Sequence, residues 1–254
     1  MSDRMNNRNC LSYWFPRLEA AGLPVPKTRI ITTGADLMAM LDGKMPLGLD
    51  DLVERIRQAA LDLGGFPVFL RTGQTSNKHH WKDTCFLASE QDIEQHVFNL
   101  VEFSEMCDIF GIPYDVWVVR ELLPVEPVCV LPAYRDMPAV REFRCFVADG
   151  EVQCVHPYWP REAVAHGFPR IPTDDWADDT RALPENFDAL YAMLCKPPGW
   201  QVGQLARRAG RAVGGEWSVD VLWTTRGWYI TDMAVAADSY HWEDCKRREL
   251  EADE

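Results

Sequence analysis

The stretch WSVDVLWTTRGWYITDMA, residues 217–234, decides the fold. Two apolar runs flank the turn residues Thr224-Thr225-Arg226-Gly227, so the stretch predicts a β-hairpin. Asp220 lies in the first strand and Asp232 in the second, each among hydrophobic neighbours. Because two carboxylates in an apolar frame repel one another, the hairpin predicts a cation between them. Magnesium, which proteins hold with one or two carboxylates plus substrate phosphates, is the natural solution.

A second hairpin is predicted upstream, across Asp149-Gly150. Its first strand contains Arg141-Glu-Phe-Arg144, in which Glu142 and Arg144 share one strand face and Phe143 takes the other. Arg141 and Arg144 are candidate cofactor-binding residues. The alternative is that these charges simply face solvent, as most charges on strands do.

A third segment combines a cationic strand end with a polar loop. Arg71 ends a strand predicted over residues 67–71, and residues 72–83 follow with small hydroxyl residues, amides and one glycine. Such a loop can fold over phosphates, and Arg71 would add a bidentate phosphate donor. Lys78 and Lys82 compete as the second phosphate cation. The alternative is a solvated loop with Arg71 in a surface ion pair, since the loop matches no Walker-type spacing.

The fourth segment is Glu121-Leu122-Leu123, where a predicted strand stops at Pro124. Backbone groups released there could contact an adenine edge, and Glu121 could accept a hydrogen bond from a ribose or amino group. The alternative is a charged residue that closes an edge strand.

Composition excludes several function classes. The chain has 254 residues and a net charge of −13, which argues against a protein that coats nucleic acid. No apolar run approaches the ~20 residues that span a bilayer, so no membrane contact is expected. Eight cysteines show no Cys-x-x-Cys pair and no histidine at zinc-finger spacing. They are interpreted as reduced core cysteines of a cytoplasmic protein.

Helical signals complete an α+β architecture with antiparallel strand pairs. Asp50 or Asp51 is expected to cap a helix that ends near Leu63, and Ser89 to cap the next one. A further helix is predicted over residues 200–213. Residues 161–186, rich in proline and acids, are expected to form a long surface excursion.

Taken in their order along the chain, from the Arg71 strand and loop through Glu121-Leu122-Leu123 and the Arg144 strand to the hairpin of residues 217–234, the four segments resemble the ATP-grasp superfamily. The resemblance implies the ATP-grasp fold, with antiparallel sheets and flanking helices gripping a nucleotide between two subdomains. It implies a leader, an ATP-grasp domain with two lobes, and an acidic tail, over residues 1–60, 61–240 (lobes 61–123 and 124–240) and 241–254. One similar subgroup is the phage and bacterial clade in which arginine replaces the phosphate-binding lysine, as Arg71 does. The other is a eukaryotic chaperone that assembles a translation initiation factor, which shares Lys82-Asp83 and the string from Glu142 to Val147.

The resemblance also implies a function, ATP-dependent carboxylate–amine ligation through an acyl phosphate, with ATP and Mg²⁺ as cofactors. Small-molecule or peptide carboxylates and amines would be the substrates. In this interpretation Arg71 and Lys82 neutralise phosphate charge, Arg144 stabilises the transferring group, and Asp220 and Asp232 bind magnesium. The alternative is a non-catalytic ATP-binding assembly factor with a protein partner. The family's Glu/Asp-x-Asn metal motif departs here at Ala234, which removes one ligand.

Overall fold

The fold contains helices packed on antiparallel sheets, and the computed structural model describes residues 7–107, 111–171, 184–243 and 245. The helices are α1 Leu11–Ala20, α2 Leu49–Asp62, α3 Ile93–Met106, α4 Arg161–His166, α5 Phe187–Leu194 and α6 Trp200–Val213. The strands are β1 Thr28–Thr32, β2 Val68–Thr72, β3 Phe86–Leu87, β4 Val116–Glu121, β5 Cys129–Leu131, β6 Met137–Ala139, β7 Glu142–Ala148, β8 Glu151–Pro157, β9 Glu216–Thr224 and β10 Gly227–Val235.

The chain forms two compact units. The smaller unit comprises Pro26–Leu123 and Pro132–Met137, and the larger unit comprises Met1–Val25, Pro124–Leu131 and Pro138–Glu254. The division into leader, lobes and tail that the sequence suggested remains a prediction about functional segments.

The smaller unit contains a four-stranded sheet in the order β1-β4-β2-β3. Helices α2 and α3 pack on one face of it, where Leu70, Trp117 and Val119 join the helices in one apolar core. Since side chains alternate along a strand, Arg71 and Arg120 point to the opposite face.

The larger unit contains a four-stranded sheet in the order β10-β9-β7-β8. Helix α6 packs on one face through an apolar stripe, and a Cβ at Gly210 would lie 3.1 Å from Cγ2 of Val147. The predicted hairpin turn is confirmed, because Asp149 and Gly150 both have positive φ, of 48° and 79°. Two residues in this conformation form the tight turn that matches the strand twist. The hairpin between β9 and β10 and helix α6 are also confirmed.

The structure corrects both helix starts. Helix α2 begins at Leu49 after Gly48, so Asp50 and Asp51 lie in its first turn, where their charges favour the helix dipole. Ser89 does not cap a backbone N–H, because its hydroxyl bonds the carboxylate of Asp92 at 2.7 Å.

Two other regions differ from the sequence-based expectation. The expected surface excursion begins as helix α4, and its residues 172–183 lie outside the described part of the chain. Helix α1 was not predicted; it contains Pro16, and its buried residues Leu11, Trp14, Phe15 and Leu18 follow helical spacing. None of the described helices is long and apolar enough to cross a membrane.

Candidate functional site

Four polar side chains form a row across the sheet of the larger unit. Arg144 on β7 pairs with His156 on β8 and with Asp220 on β9. Asp220 in turn pairs with Asp232 on β10. Directly opposed residues of antiparallel strands point to the same face, so this polar row lies on the face opposite α6. The register thus places Arg144 beside the pair of Asp220 and Asp232, which the sequence had singled out separately from it.

Arg144 and Asp220 form a bidentate ion pair. Arg144 Nε lies 2.8 Å from Asp220 Oδ1, and Nη2 lies 2.8 Å from Oδ2. The side chains are 19% and 6% exposed, so water screens the pair weakly. Burial lowers the pKa of the Arg144 guanidinium, but the charge of Asp220 and the hydrogen bonds to it outweigh burial and hold that pKa above its usual value. Arg144 also lies 4.9 Å above the ring of Tyr158.

The two aspartates offer a fitting donor set for Mg²⁺. They lie side by side on neighbouring strands, next to a β-bulge between Ile230 and Asp232. Asp232 is half-buried, and its Oδ1 accepts a hydrogen bond from the backbone N–H of Met233 at 3.0 Å. A carboxylate offers about four lone-pair sites, so the contact of Arg144 leaves Asp220 able to accept a second partner. Carboxylate oxygens in this number suit an ion that also binds substrate phosphates.

Two serines lie near the position of the absent third ligand. Ala234 pairs with Ser218, whose buried hydroxyl is 2.5 Å from Oγ of Ser239. Asp238, which precedes Ser239, accepts a hydrogen bond from Asn9 Nδ2 at 2.6 Å. Ser218 was missed by the sequence analysis, although its two-residue spacing from Asp220 was the available signal.

Glu142 is a second residue that the sequence analysis noted without assigning it to the site. It is 4% exposed and shares the strand face of Arg144. The hydroxyl of Thr231, the bulge residue, lies 3.5 Å from Glu142 Oε1 and 3.4 Å from the carbonyl oxygen of Asp220. The sheet face therefore carries a third acidic group.

Arg141 does not join this group. Its guanidinium lies 5.4 Å from the ring centre of Trp228, and Nη2 donates to the carbonyl oxygens of Lys196 and Pro197 at 3.2 and 3.5 Å. Arg141 precedes β7 and contacts the loop after α5, so its role as a phosphate ligand stays a prediction.

The smaller unit presents two buried arginines on one sheet face. Arg71 and Arg120 are each 4% exposed and lie on the adjacent strands β2 and β4. Arg71 Nε donates to the carbonyl oxygen of Thr72 at 3.0 Å, and Arg120 Nε lies 3.3 Å from Thr28 Oγ1. The alternative of a surface ion pair for Arg71 is wrong, because the side chain is buried. Arg120 was missed as a second cation, although it lies one residue before Glu121.

The polar loop after β2 is organised around Thr72. Its hydroxyl accepts hydrogen bonds from the backbone N–H groups of Gln74 and Thr75, at 3.2 and 3.0 Å. Lys78 is half-buried at the start of a short 3₁₀ helix. Lys82 is 54% exposed and forms an ion pair with Asp136, with its Nζ 2.6 Å from Oδ2. Lys78 is the more buried of the two candidates, and its burial favours it over Lys82 as the second phosphate cation.

Glu121 closes β4, which is an internal strand, so the edge-strand alternative is wrong. Its Oε1 accepts a hydrogen bond from the backbone N–H of Lys27 at 2.9 Å. Leu122 and Leu123 follow as half-buried residues outside any strand. Contact of their backbone groups with adenine stays a prediction.

Comparisons with known proteins agree on the fold. Residues 62–234 match the model of a family of ATP-grasp domains, the third family of one ATP-grasp clade. C-terminally truncated Cdc123 from Schizosaccharomyces pombe is 16% identical, with a TM-score of 0.55 over 96% of this chain and 90% of that chain. Another Cdc123 structure from the same organism gives 16% identity and a TM-score of 0.53 over 99% and 93%.

A RimK domain ATP-grasp protein from Sphaerobacter thermophilus is 15% identical, with a TM-score of 0.46. The alignment covers 97% of this chain and 63% of that protein, which is therefore considerably longer. No curated protein matches the sequence. The predicted ATP-grasp fold is confirmed, and the chain belongs to this family of ATP-grasp domains.

Proposed function

We propose that the protein is an ATP-dependent carboxylate–amine ligase that uses Mg²⁺. The observation that carries the proposal is the polar row, which aligns Arg144, Asp220 and Asp232 on one face of three neighbouring strands. A cationic donor beside two carboxylates is what phosphoryl transfer needs, because the reaction moves a highly charged group and depends on positioning and electrostatics.

The proposed reaction has two steps. A carboxylate oxygen of the first substrate attacks the γ-phosphorus of ATP, which breaks the bond to the β,γ-bridging oxygen and yields an acyl phosphate and ADP. The nitrogen lone pair of the amine then attacks the acyl carbon, phosphate leaves with the carbon–oxygen bond pair, and the nitrogen loses a proton. An amide, ADP and phosphate result. Neither step requires a nucleophile from the protein.

Arg144 would stabilise the transferring phosphoryl group. Guanidinium has five N–H donors, and the ion pair with Asp220 uses two of them. Nη1 also lies 3.5 Å from the carbonyl oxygen of Tyr240, so two donors remain to bind phosphate oxygens without loss of the pair. Asp220 and Asp232 would hold Mg²⁺, which supplies charge neutralisation for the phosphates when bound.

The smaller unit would bind the phosphates and base of ATP. Arg71 is held in place by burial and by its hydrogen bond to Thr72, so it offers a preorganised cation. Lys78 would add a second positive charge in the loop, with Lys82 as the weaker candidate. Leu122 and Leu123 would contact adenine through their backbone groups.

Release of ADP tests the proposal. The purified protein is incubated with Mg-ATP and pools of amino acids, amines and peptides, and ADP is measured with a coupled assay. We expect one carboxylate–amine pool to stimulate ADP release. An Asp188→Asn variant, which loses the charge of an exposed partner of Arg161 outside the polar row, is the control and should release ADP as the wild type does. If ATP binds but no pool raises ADP release, the ligase proposal fails.

A second candidate is a non-catalytic ATP-binding assembly factor. Two observations favour it: Arg144 engages both carboxylate oxygens of Asp220, and Ala234 brings no metal ligand. Both would weaken magnesium-dependent chemistry. This candidate predicts tight ATP binding without turnover and a protein partner whose binding depends on ATP. Measuring partner binding with and without ATP would separate it from the ligase.

A further inference from the structure

Two cysteines and two histidines converge at the edge strand of the larger unit's sheet. Cys154 and His156 are two residues apart on β8, so both side chains point to one face. His241 and Cys245 belong to the segment that follows β10. Their four ligand atoms all lie within 4.8 Å of one another. We propose that this thiolate–imidazole cluster binds a structural Zn²⁺ ion.

The separations suit tetrahedral coordination. Zinc–sulfur bonds of about 2.3 Å and zinc–nitrogen bonds of about 2.0–2.1 Å place the ligand atoms of such a site roughly 3.3–3.8 Å apart. Cys154 Sγ lies 3.2 Å from Nε2 of His241, close to this range. The upper limit of 4.8 Å exceeds it by about 1 Å. Small side-chain rotations therefore complete the site without a change in the sheet.

The ligand chemistry selects zinc. Two sulfurs and two imidazole nitrogens in a tetrahedral arrangement are typical of Zn²⁺ sites. Two thiolates neutralise the charge of the ion, which suits its surroundings, since Cys245 is 8% exposed and the other three residues are half-buried. Because the protein supplies all four ligands, the site is closed and therefore structural rather than catalytic.

Aromatic neighbours hold both imidazole rings. Phe146 stacks on His241 with ring centres 4.0 Å apart and an interplanar angle of 22°. Trp242 stacks on His156 at 5.7 Å and 12°. Rings fixed in this way lose little freedom when they bind a metal, and contacts outside the ligand set are known to orient metal-binding histidines.

The zinc ion would fasten the segment from Ser239 to Cys245 onto the edge strand β8. That segment already contacts the polar row, because Arg144 Nη1 lies 3.5 Å from the carbonyl oxygen of Tyr240. His156 is also the cross-strand neighbour of Arg144. Because none of its ligands is Arg144, Asp220 or Asp232, the ion would position the residues around Arg144 without being bound by the proposed catalytic groups.

The sequence analysis found no zinc spacing and interpreted the cysteines as core residues, and in the structure Cys245 is buried whereas Cys154 is half-buried. The ligands come as two short pairs, Cys154-x-His156 and His241-x₃-Cys245, far apart in the chain. Only the fold brings the pairs together.

Metal content tests the proposal independently of ligase activity. The full chain is expressed in zinc-supplemented medium, purified under reducing conditions without chelators, and analysed by mass spectrometry of its metals. We expect one zinc ion per chain. Cobalt titration of the reduced, zinc-stripped protein should saturate at one equivalent, with tetrahedral d–d absorption and thiolate-to-cobalt charge transfer. Zinc removal should lower the Tm.

The matched variants are Cys154→Ser and Cys195→Ser, since both cysteines are half-buried in the larger unit. Cys154→Ser should lose the zinc and the charge-transfer band, whereas Cys195→Ser should keep both. The proposal is overturned if the wild-type protein holds no zinc and gives no cobalt spectrum, or if Cys154→Ser retains a full equivalent. A disulfide between Cys154 and Cys245 in the reduced preparation would also overturn it. The wild-type cobalt spectrum decides the matter even if Cys154→Ser does not fold.

Discussion

Arg144 and Asp220 are joined by two hydrogen bonds of 2.8 Å, and each is the other's direct cross-strand neighbour. The sheet register therefore places the two side chains beside each other. Asp232 follows on the next strand, so a cation that binds both aspartates must share Asp220 with a guanidinium. This relationship makes the affinity for Mg²⁺ and the position of Arg144 depend on one another.

We expect the ion pair to stabilise the larger unit. Asp220→Ala leaves the Arg144 guanidinium largely buried without its counter-charge, which should cost about 3 kcal/mol of unfolding free energy. Urea denaturation measures the loss. The exposed pair of Arg161 and Asp188 is the control, and Asp188→Ala should cost less than about 1 kcal/mol. Equal losses in the two variants would contradict the prediction.

Asp232→Asn should weaken the binding of Mg-ATP by roughly tenfold or more, because it removes a carboxylate charge from the proposed metal site. ATP without magnesium should bind the variant as tightly as it binds the wild type, since Asp232 is proposed to bind the metal ion and not the nucleotide. Isothermal titration calorimetry with and without Mg²⁺ separates the two effects. Unchanged Mg-ATP affinity would remove Asp232 from the metal site, and Asp188→Asn shows the effect of a lost charge elsewhere.

The fold was largely predictable because its signals are local. Asp149-Gly150 predicted the turn between β7 and β8 through backbone preferences of two residues. Helix α6 follows from the apolar spacing of residues 200–213. Helix α1 was not predicted. Pro16 disfavours a helix there, and only the packing of the apolar face of α1 outweighs that penalty.

The candidate site was predictable only in part, since its geometry depends on pairing between distant strands. The sequence placed Arg144 and Asp220 on strands, but no local pattern states that residues 76 positions apart lie opposite each other. Arg120 was overlooked because its burial comes from the neighbouring strands β1 and β2. Tertiary packing selects the register between distant strands, and local periodicity does not reveal which residues that register pairs.

Arg71→Lys should weaken ATP binding even though it keeps the charge. A lysine cannot reproduce the bidentate, planar contact of a guanidinium, so we expect roughly a tenfold loss in affinity for ATP and ADP. AMP, which lacks the outer phosphates, should bind both proteins equally. Fluorescence titration with the three nucleotides measures this, and Arg55→Lys on the exposed surface of α2 is the control. Loss of AMP binding to the same extent would point to a general structural defect instead.

His79 should make stability fall under mildly acidic conditions. Burial lowers its pKa, and the positive charges of Lys78 and His80 lower it further, while its ring stacks on Tyr134 with centres 4.7 Å apart. The folded protein therefore resists the proton that the unfolded chain accepts as the pH falls through about 6.5, so unfolding becomes easier there. Below the lowered pKa both states are protonated and this loss stops growing. His79→Phe keeps a stacking ring but cannot titrate, so its urea midpoint should fall less than that of the wild type between about pH 7.5 and about pH 5.5. The same fall in both proteins would assign the pH dependence to other groups.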